Sequence, residues 1–178
     1  GRVYNATRDV AAGVLTIGTL VNGEQLTLSG TGTLTGTKDV GDNKTFDINT
    51  LALGNGTGLA SNYTLVGGTR TADITRATIS TVSGITATDK TYDANNTASL
   101  VTSGATFNGM FANDVLNVAT STGAFNDARA AIGKAVSISG ITLGGTDAGN
   151  YTLTTSTAST TATINPYAVT VRALSQTK

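Results

Sequence analysis

The chain has 178 residues with 11 basic and 11 acidic side chains, and charged residues make up only 12% of it. A neutral, charge-poor chain offers no positive surface to nucleic acid or anionic lipid, so we expect neither as a partner. No apolar run is long enough to cross a bilayer. The sequence has no His and no Cys, the usual nucleophile, base and zinc-ligand residues, so we expect no enzymatic activity, metal or cofactor.

Thr, Gly and Asn supply most of the remaining polar content. The sequence contains 36 Thr, 22 Gly and 14 Asn, but only one Glu, one Pro and one Met. Thr is β-branched and favours strands, whereas Gly and Asn favour turns that need a positive φ. The composition therefore predicts an all-β fold.

Segments in which apolar residues alternate with Thr, Ser or Asp predict strands with one buried and one exposed face. In chain order they are residues 26–28, 46–48, 136–138, 151–153 and 169–171. Clusters rich in Gly, Asn and Asp predict the turns that separate strands. These clusters are residues 21–23, 38–43, 54–56 and 144–150.

The sequence also repeats itself, which is the signature of a tandem array. Residues 2–6 match 90–94, and residues 62–65 match 150–153, both at an offset of 88. Three further matches have an offset near 90: residues 41–48 with 132–138, 51–53 with 141–143, and 72–75 with 162–165. We therefore predict a first repeat at 1–88 and a second at 89–178. Lys178 would begin a third repeat, so we expect a fragment of a longer protein.

The best helix candidate in either repeat is residues 125–132, which contain three Ala. Its counterpart, residues 34–41, contains two Gly and two Thr and is a poor helix sequence. We therefore predict that both segments are extended or looped. We also expect residues 74–88, at the junction of the repeats, to form a continuing strand.

These elements predict two tandem antiparallel β-sandwich-like repeats in an elongated array, with six to eight strands in each repeat. A β-grasp-like repeat with one short helix is the alternative. The expected large core residues of the second repeat are Tyr92, Leu100, Phe107, Leu116, Phe125, Ile138, Leu143, Tyr151, Leu153 and Ile164.

The recurring residues resemble a known family. Lys90-Thr91-Tyr92-Asp93 is similar to the Lys-x-Tyr-Asp-Gly signature of the YDG repeats in large bacterial adhesins. Residues 138–153 and 162–166 resemble the second half and the closing strand of those repeats. Ala6 and Ala94 depart from the signature glycine, and Asn5 departs from the signature Asp. The residues that we assign to the structural signature are Tyr4, Asn62, Tyr63, Lys90, Tyr92, Asp93, Lys134, Asp147, Asn150 and Tyr151.

The resemblance implies a protein related to filamentous haemagglutinins, exported by two-partner secretion to the surface of a Gram-negative bacterium. It implies a stalk or spacer repeat in cell adhesion or biofilm, whose partners are neighbouring repeats of the same adhesin. Two alternatives stay open. The repeat could itself bind a host or biofilm glycan or protein, or its exposed edge strands could mediate homotypic assembly.

Several residues are candidates for more specific roles. The four recurring tyrosines could stack on sugars, but their fixed positions favour buried rings with hydrogen-bonded hydroxyls. Residues 39–43 and 147–150 could offer oxygens to calcium, but neither has the EF-hand spacing, and we favour hydrogen-bonded turns. An isopeptide crosslink at Lys90 or Lys134 is a further alternative. The Asn-x-Thr sequons, which are glycosylation candidates, are at Asn5, Asn43, Asn55, Asn62, Asn95 and Asn150.

Overall fold

The computed structural model describes residues 1–66 and 70–174, so the third-repeat start predicted at Lys178 lies outside the described residues. These residues form 18 strands and four single-turn 3₁₀ helices, with no α-helix among them. The predicted all-β class is confirmed. In this part of the chain no helix is long and apolar enough to span a membrane.

Most of the strands are short. They are β1 (Arg2–Val3), β2 (Asp9–Ala11), β3 (Leu26–Ser29), β4 (Thr31–Leu34), β5 (Gly41–Asp47), β6 (Ala52–Asn55), β7 (Thr71–Thr75), β8 (Ala77–Ile79), β9 (Thr81–Ser83), β10 (Thr86–Ala87), β11 (Lys90–Thr91), β12 (Thr97–Ala98), β13 (Leu100–Val101), β14 (Thr106–Asn108), β15 (Asn117–Phe125), β16 (Ala131–Gly144), β17 (Tyr151–Leu153) and β18 (Ala158–Asn165). The 3₁₀ helices are Ala12–Val14, Val21–Gly23, Ala60–Asn62 and Ala148–Asn150.

The chain forms two compact units. Unit 1 comprises Gly1–Ile79, Gly109–Val115 and Thr146–Thr152, and unit 2 comprises Ser80–Asn108, Leu116–Gly145 and the chain from Leu153 onward. Two short stretches of the second sequence repeat, 109–115 and 146–152, therefore belong to unit 1.

The main sheet of each unit has five strands in the same order. In unit 1 the order is β1-β7-β5-β4-β2, and in unit 2 it is β11-β18-β16-β15-β12. The outermost pair is parallel in each sheet, β1 with β7 and β11 with β18, and the remaining registered pairs are antiparallel. Short two-stranded sheets complete the units: β3-β6 and β8-β17 in unit 1, and β9-β14 and β10-β13 in unit 2. Alternation along a strand indicates its faces but not the direction of its partner, so the parallel pairs were not predicted.

Alternation along the strands produces the core of each unit. In unit 1 the buried apolar side chains include Tyr4, Val10, Leu34, Phe46, Ile74 and Ile79, and in unit 2 they include Val82, Phe125, Val136, Ile138, Ile141 and Ile164. The core prediction is confirmed for Phe125, Ile138 and Ile164 in unit 2, whereas Tyr151 is buried in unit 1. The predicted core residues that are only half-buried are Leu100, Phe107, Leu116, Leu143 and Leu153. The prediction is wrong for Tyr92, which is 42% exposed because it lines a surface cavity of unit 2.

Three local predictions have different outcomes. Residues 34–41 and 125–132 are strand ends joined by loops at 35–40 and 126–130, as expected, so the helix of the β-grasp alternative is not formed at its best candidate. The strand predicted at residues 169–171 is wrong, because this stretch lies outside every strand and Val169 and Val171 are 82% and 95% exposed. The junction is extended but is divided into β7, β8, β9 and β10, because each of these strands has a different partner.

Candidate functional site: the Asp114 cluster of unit 1

A cluster of polar and aromatic side chains lies inside unit 1. Its members, here called the Asp114 cluster, are Tyr4, Lys38, Phe111, Asp114, Asp147 and Tyr151. Tyr4 directly follows β1, and Lys38 lies in the loop between β4 and β5. Asp147 and Tyr151 flank the last 3₁₀ helix. The side chains of the cluster therefore come from loops and from the ends of strands and of a 3₁₀ helix. At these positions the backbone can direct a polar side chain toward the interior.

Asp114 is the centre of the cluster and is only 7% exposed. Its Oδ2 accepts hydrogen bonds from the Tyr4 hydroxyl at 2.8 Å and the Tyr151 hydroxyl at 2.6 Å. Its Oδ1 accepts a 2.6 Å bond from Lys38 Nζ. A buried carboxylate is costly unless it is paired and hydrogen-bonded. Three donors from distant parts of the sequence satisfy this requirement.

Lys38 joins a second carboxylate to the cluster. Its ammonium also donates to Asp147 Oδ1 at 3.0 Å and to the Tyr4 hydroxyl, and it lies 4.9 Å from the centroid of the Tyr4 ring. The Val115 N–H donates to Asp147 Oδ2 at 2.9 Å. The bond from Val115, followed by that from Lys38, lowers the pKa of Asp147. One ammonium therefore holds two carboxylates, those of Asp114 and Asp147.

Three aromatic rings enclose these polar groups. The Tyr4 ring packs edge-on against Phe111 and Tyr151, with centroids 5.9 and 5.5 Å apart. The Phe111 N–H donates a 3.0 Å hydrogen bond to the Tyr151 hydroxyl, which itself donates to Asp114. Edge-to-face aromatic contacts of this kind are favourable beyond the area that they bury.

Asn150 makes a second connection within unit 1. Its side chain is nearly fully buried, and its residue is 4% exposed. Nδ2 donates to Asp39 Oδ1 at 2.9 Å, and Oδ1 accepts from the Val40 N–H at 3.0 Å. The first bond is the main reason that the pKa of Asp39 is lowered. Burial also makes the Asn150 sequon inaccessible to glycosylation in the folded chain.

The titrating groups of the cluster are all shifted away from neutral pH. Burial would raise the pKa of Asp114, but hydrogen bonds from Lys38, Tyr151 and Tyr4 outweigh it and lower this pKa. Burial would lower the pKa of Lys38, but its bonds to Asp114 and Tyr4 raise it. Burial, together with the bond to Asp114, raises the pKa of Tyr151. Fixed protonation states suit a structural ion pair better than proton transfer, which works best when the pKa lies near the working pH.

The comparison with known families identifies the chain. A model of the YDG domain matches residues 1–72 and 75–162. The chain belongs to the YDG domain family. No curated protein and no solved structure matches it.

The signature turn of the YDG domain occurs once in each unit. In unit 1, Asn5 Oδ1 accepts bonds from the Thr7 N–H at 3.1 Å and from Arg2 Nη1 at 2.5 Å. In unit 2, Asp93 Oδ1 accepts from the Asn95 N–H at 3.1 Å and from Lys90 Nζ at 2.9 Å. Asn5 and Asp93 thus build the same Asx turn, since each needs only a side-chain oxygen.

Ala6 and Ala94 occupy the signature-glycine position of this turn. Their φ angles are 60° and 66°, in the left-handed region that favours glycine. The structure therefore explains the glycine in the YDG signature: the turn requires a positive φ. Both alanines adopt that conformation despite their Cβ atoms.

The structure separates the remaining signature residues. Asn62 and Tyr63 lie in unit 1, outside the Asp114 cluster, where the Tyr63 hydroxyl donates to Glu24 at 2.6 Å. In unit 2, Lys134 Nζ pairs with Asp127 Oδ1 at 2.5 Å, and Lys90 and Tyr92 lie at the signature turn. The repeat signature in the sequence predicted Tyr4, Asp147, Asn150 and Tyr151. It missed Lys38 and Asp114, although the tyrosines that Asp114 binds were recognised by their recurrence.

Proposed function

We propose that this chain is a non-enzymatic structural module of a secreted or surface-exposed bacterial adhesin of the filamentous haemagglutinin type, acting in cell adhesion or biofilm. In this proposal the YDG domains are spacers that carry tension between the cell and a distal adhesive part. Membership of the YDG family and a composition without His or Cys support the proposal. The observation that carries it is the parallel pair at the edge of each main sheet.

The parallel pairs join the beginning and the end of each sheet. In unit 1, Arg2 pairs with Ile74 and Val3 with Thr75, and the Tyr4 N–H donates to the Thr75 carbonyl at 2.8 Å. The pair in unit 2 repeats this arrangement: Lys90 faces Ile164, Thr91 faces Asn165, and the Tyr92 N–H donates to the Asn165 carbonyl at 2.8 Å.

Tension on the chain would shear such a pair. Force enters at the start of β11 and leaves at the end of β18, which are opposite ends of two strands running side by side. The backbone hydrogen bonds between them are then loaded together. In an antiparallel pair pulled from one end, the bonds would break one after another. Resistance to forced unfolding is set by the unfolding rate, and shear loading should make that rate low.

Single-molecule force spectroscopy can test this proposal with two pulling directions. The chain has no Cys, so one cysteine at the exposed Ala130 provides a unique attachment point. Pulling between this point and the C-terminus would unzip β16 from β18, because Ala131 pairs with Ile164 in an antiparallel ladder. We expect the wild-type chain, pulled by its two ends, to rupture at a clearly higher force. Equal forces in the two directions would contradict the mechanical role.

A further inference from the structure

Unit 1 carries a second tyrosine–carboxylate pair that repeats the geometry of the Asp114 cluster. The Tyr63 hydroxyl donates to Glu24 Oε2 at 2.6 Å, and the Tyr151 hydroxyl donates to Asp114 Oδ2 at 2.6 Å. Glu24 and Asp114 are 90 positions apart, and each follows a tight turn that its own N–H closes. Glu24 is therefore the counterpart of Asp114.

The strands that follow these carboxylates correspond in the same way. Leu28 faces Leu53 in the β3-β6 pair, and Val118 faces Leu143 in the β15-β16 pair. Both residues of the first pair precede those of the second by 90 positions. The 3₁₀ helices Ala60–Asn62 and Ala148–Asn150 also correspond, since each directly precedes one of the two tyrosines.

The two sets differ in burial. Asn150 is 4% exposed, whereas its counterpart Asn62 is exposed. Val21 and Leu59 beside Glu24 are 65% and 56% exposed. We call the surface formed by Val21, Glu24, Leu59, Asn62 and Tyr63 the Glu24 face. On this face the Glu24–Tyr63 pair lies at the surface, whereas the equivalent Asp114–Tyr151 pair is buried in unit 1.

Unit 2 presents the complementary surface. Tyr92, the counterpart of Tyr4, is 42% exposed, whereas Tyr4 is 1% exposed. Tyr92 lines a cavity of about 590 Å³ together with Asp93, Arg129, Ala130, Pro166, Tyr167 and Val169, and the Asp93 carboxylate is already paired with Lys90. Arg129 lies in the loop between β15 and β16, which corresponds to the loop that carries Lys38 in unit 1. We call this surface the Tyr92 face. It has an aromatic hydroxyl and a cation, as the binding site of Asp114 has.

The two faces also contain segments that correspond to the β8-β17 strand pair of unit 1. Residues 167–169 follow β18 as β8 (Ala77–Ile79) follows β7. Ala77 and Ile79 are 4% and 0% exposed, and β8 pairs with β17, which begins at Tyr151. Tyr167 and Val169 are 67% and 82% exposed. Residues 63–65, the counterpart of β17, lie outside the 18 strands. Each face therefore offers an edge that could gain a strand.

We propose that the Tyr92 face binds the Glu24 face of a second copy of this chain. In this contact the Glu24 carboxylate accepts hydrogen bonds from the Tyr92 hydroxyl and the Arg129 guanidinium, and residues 63–65 pair with residues 167–169. The contact joins two different surfaces, so it propagates head to tail instead of closing a symmetric dimer. The inference rests on the internal template in unit 1 and does not depend on the mechanical role proposed above.

Charge reversal tests the contact directly. We expect the wild-type chain to show concentration-dependent association in sedimentation velocity, and Glu24→Lys or Arg129→Glu to weaken it by roughly tenfold or more. In a mixture of the two, the unaltered Tyr92 face of E24K matches the unaltered Glu24 face of R129E, and the two altered faces carry opposite charges that also match. An equimolar mixture of E24K and R129E, or the double variant, should therefore associate again. This rescue distinguishes a specific contact from a general loss of stability.

Asp42→Lys is a control that matches the charge change of E24K at an exposed position outside both faces. It should associate as the wild type does. A wild-type chain that stays monomeric up to about 1 mM overturns the proposal. At that concentration the two faces meet as often as they would if a short flexible linker joined two copies. Association that neither single variant weakens, or weakened association that the mixture does not restore, overturns it too. Binding of glycan to the Tyr92 face of a chain that does not self-associate would instead assign that face to a sugar.

Discussion

Lys38 and Asp114 lie 76 positions apart in the sequence, and their side chains form a 2.6 Å ion pair inside unit 1. The Asp114 side chain is 2% exposed and that of Lys38 is 30% exposed. Coulombic attraction is stronger in such a shielded place than at the surface. Segment 109–115 thus contributes to the stability of unit 1 through a charge, in addition to the rings that it buries.

Replacing Lys38 by Met should strongly destabilise unit 1. Met keeps an unbranched stem of similar length but removes the ammonium that Asp114 and Asp147 share. Removing one partner of a buried pair costs about 3–5 kcal/mol, and the partial exposure of Lys38 should bring the loss to about 3 kcal/mol or less. Urea unfolding followed by hydrogen exchange at the Tyr4 amide, which bonds to Thr75, measures it.

Two further variants make this measurement specific to the ion pair. Asp114→Asn combined with Lys38→Met removes both charges and should be more stable than Lys38→Met alone, because no uncompensated charge is left at Asp114. Asp42→Asn at an exposed position should change stability by less than about 0.5 kcal/mol. A loss below about 0.5 kcal/mol in Lys38→Met would show that the ion pair contributes little.

Acid should destabilise unit 1 through Asp114. Although burial opposes ionisation, the bonds from Lys38, Tyr151 and Tyr4 lower the pKa of this carboxyl in the folded state. Its contribution is therefore complete above the pKa of an unfolded Asp, about 3.9, and is lost as the pH falls through the lower folded pKa. The free energy of unfolding, measured against pH, should fall less steeply below about pH 4 in Asp114→Asn. The same slope in both proteins would argue against this assignment.

Sequence reasoning predicted what local patterns encode. The alternation in Val136-Ser137-Ile138 predicted a strand, and the structure buries Val136 and Ile138 while exposing Ser137. The same alternation at Val169-Thr170-Val171 gave a wrong prediction. Apolar alternation shows that a segment could form a strand, but a partner edge is also needed. That partner comes from tertiary structure, and β8 has it in β17 where residues 167–169 do not have it among the residues described.

The Asp114 cluster was only partly predictable for a related reason. Recurrence revealed Tyr4 and Tyr151 because their residue type is the same in both repeats. It did not reveal Asp114, whose counterpart is Glu24, a different residue in a segment with little other identity. Glu24 is the single Glu of the chain and lies 90 positions before Asp114. The same offset of about 90 relates other matching segments of the two repeats. Aligning acidic residues at this offset would have identified Glu24 and Asp114 as counterparts.

Ala94→Gly should stabilise unit 2. Ala94 has a φ of 66°, and a left-handed conformation costs an L-residue with a Cβ roughly 1–2 kcal/mol. Glycine removes this strain but makes the unfolded chain more flexible, so we expect a net gain of about 0.5–1 kcal/mol. The urea midpoint should rise in Ala94→Gly. Ala135→Gly, within β16, should lower it, because glycine weakens the interior of a strand. A midpoint unchanged or lowered in Ala94→Gly would mean that the turn holds Ala94 without strain.

A fragment ending at residue 88 should not retain the full stability of unit 1. It lacks segments 109–115 and 146–152, which supply all the carboxylates and two of the three rings of the Asp114 cluster. Tyr4 would then lose the cover that makes it 1% exposed, and its amide should exchange much faster than in the whole chain. Extending the fragment to residue 153 restores both segments and should restore the protection.

For the corresponding fragment of unit 2 we expect the opposite result, that amide protection is kept. A fragment of residues 80–174 keeps the five-stranded sheet of unit 2 and its buried cluster of Ala98, Phe125, Val136, Ala162 and Ile164. Its amides in β16 and β18 should therefore remain protected. If the 1–88 fragment showed native protection at Tyr4, segments 109–115 and 146–152 would be dispensable for unit 1. The contact proposed between the Glu24 and Tyr92 faces would then lose its template, because that contact copies the interaction which these two segments make.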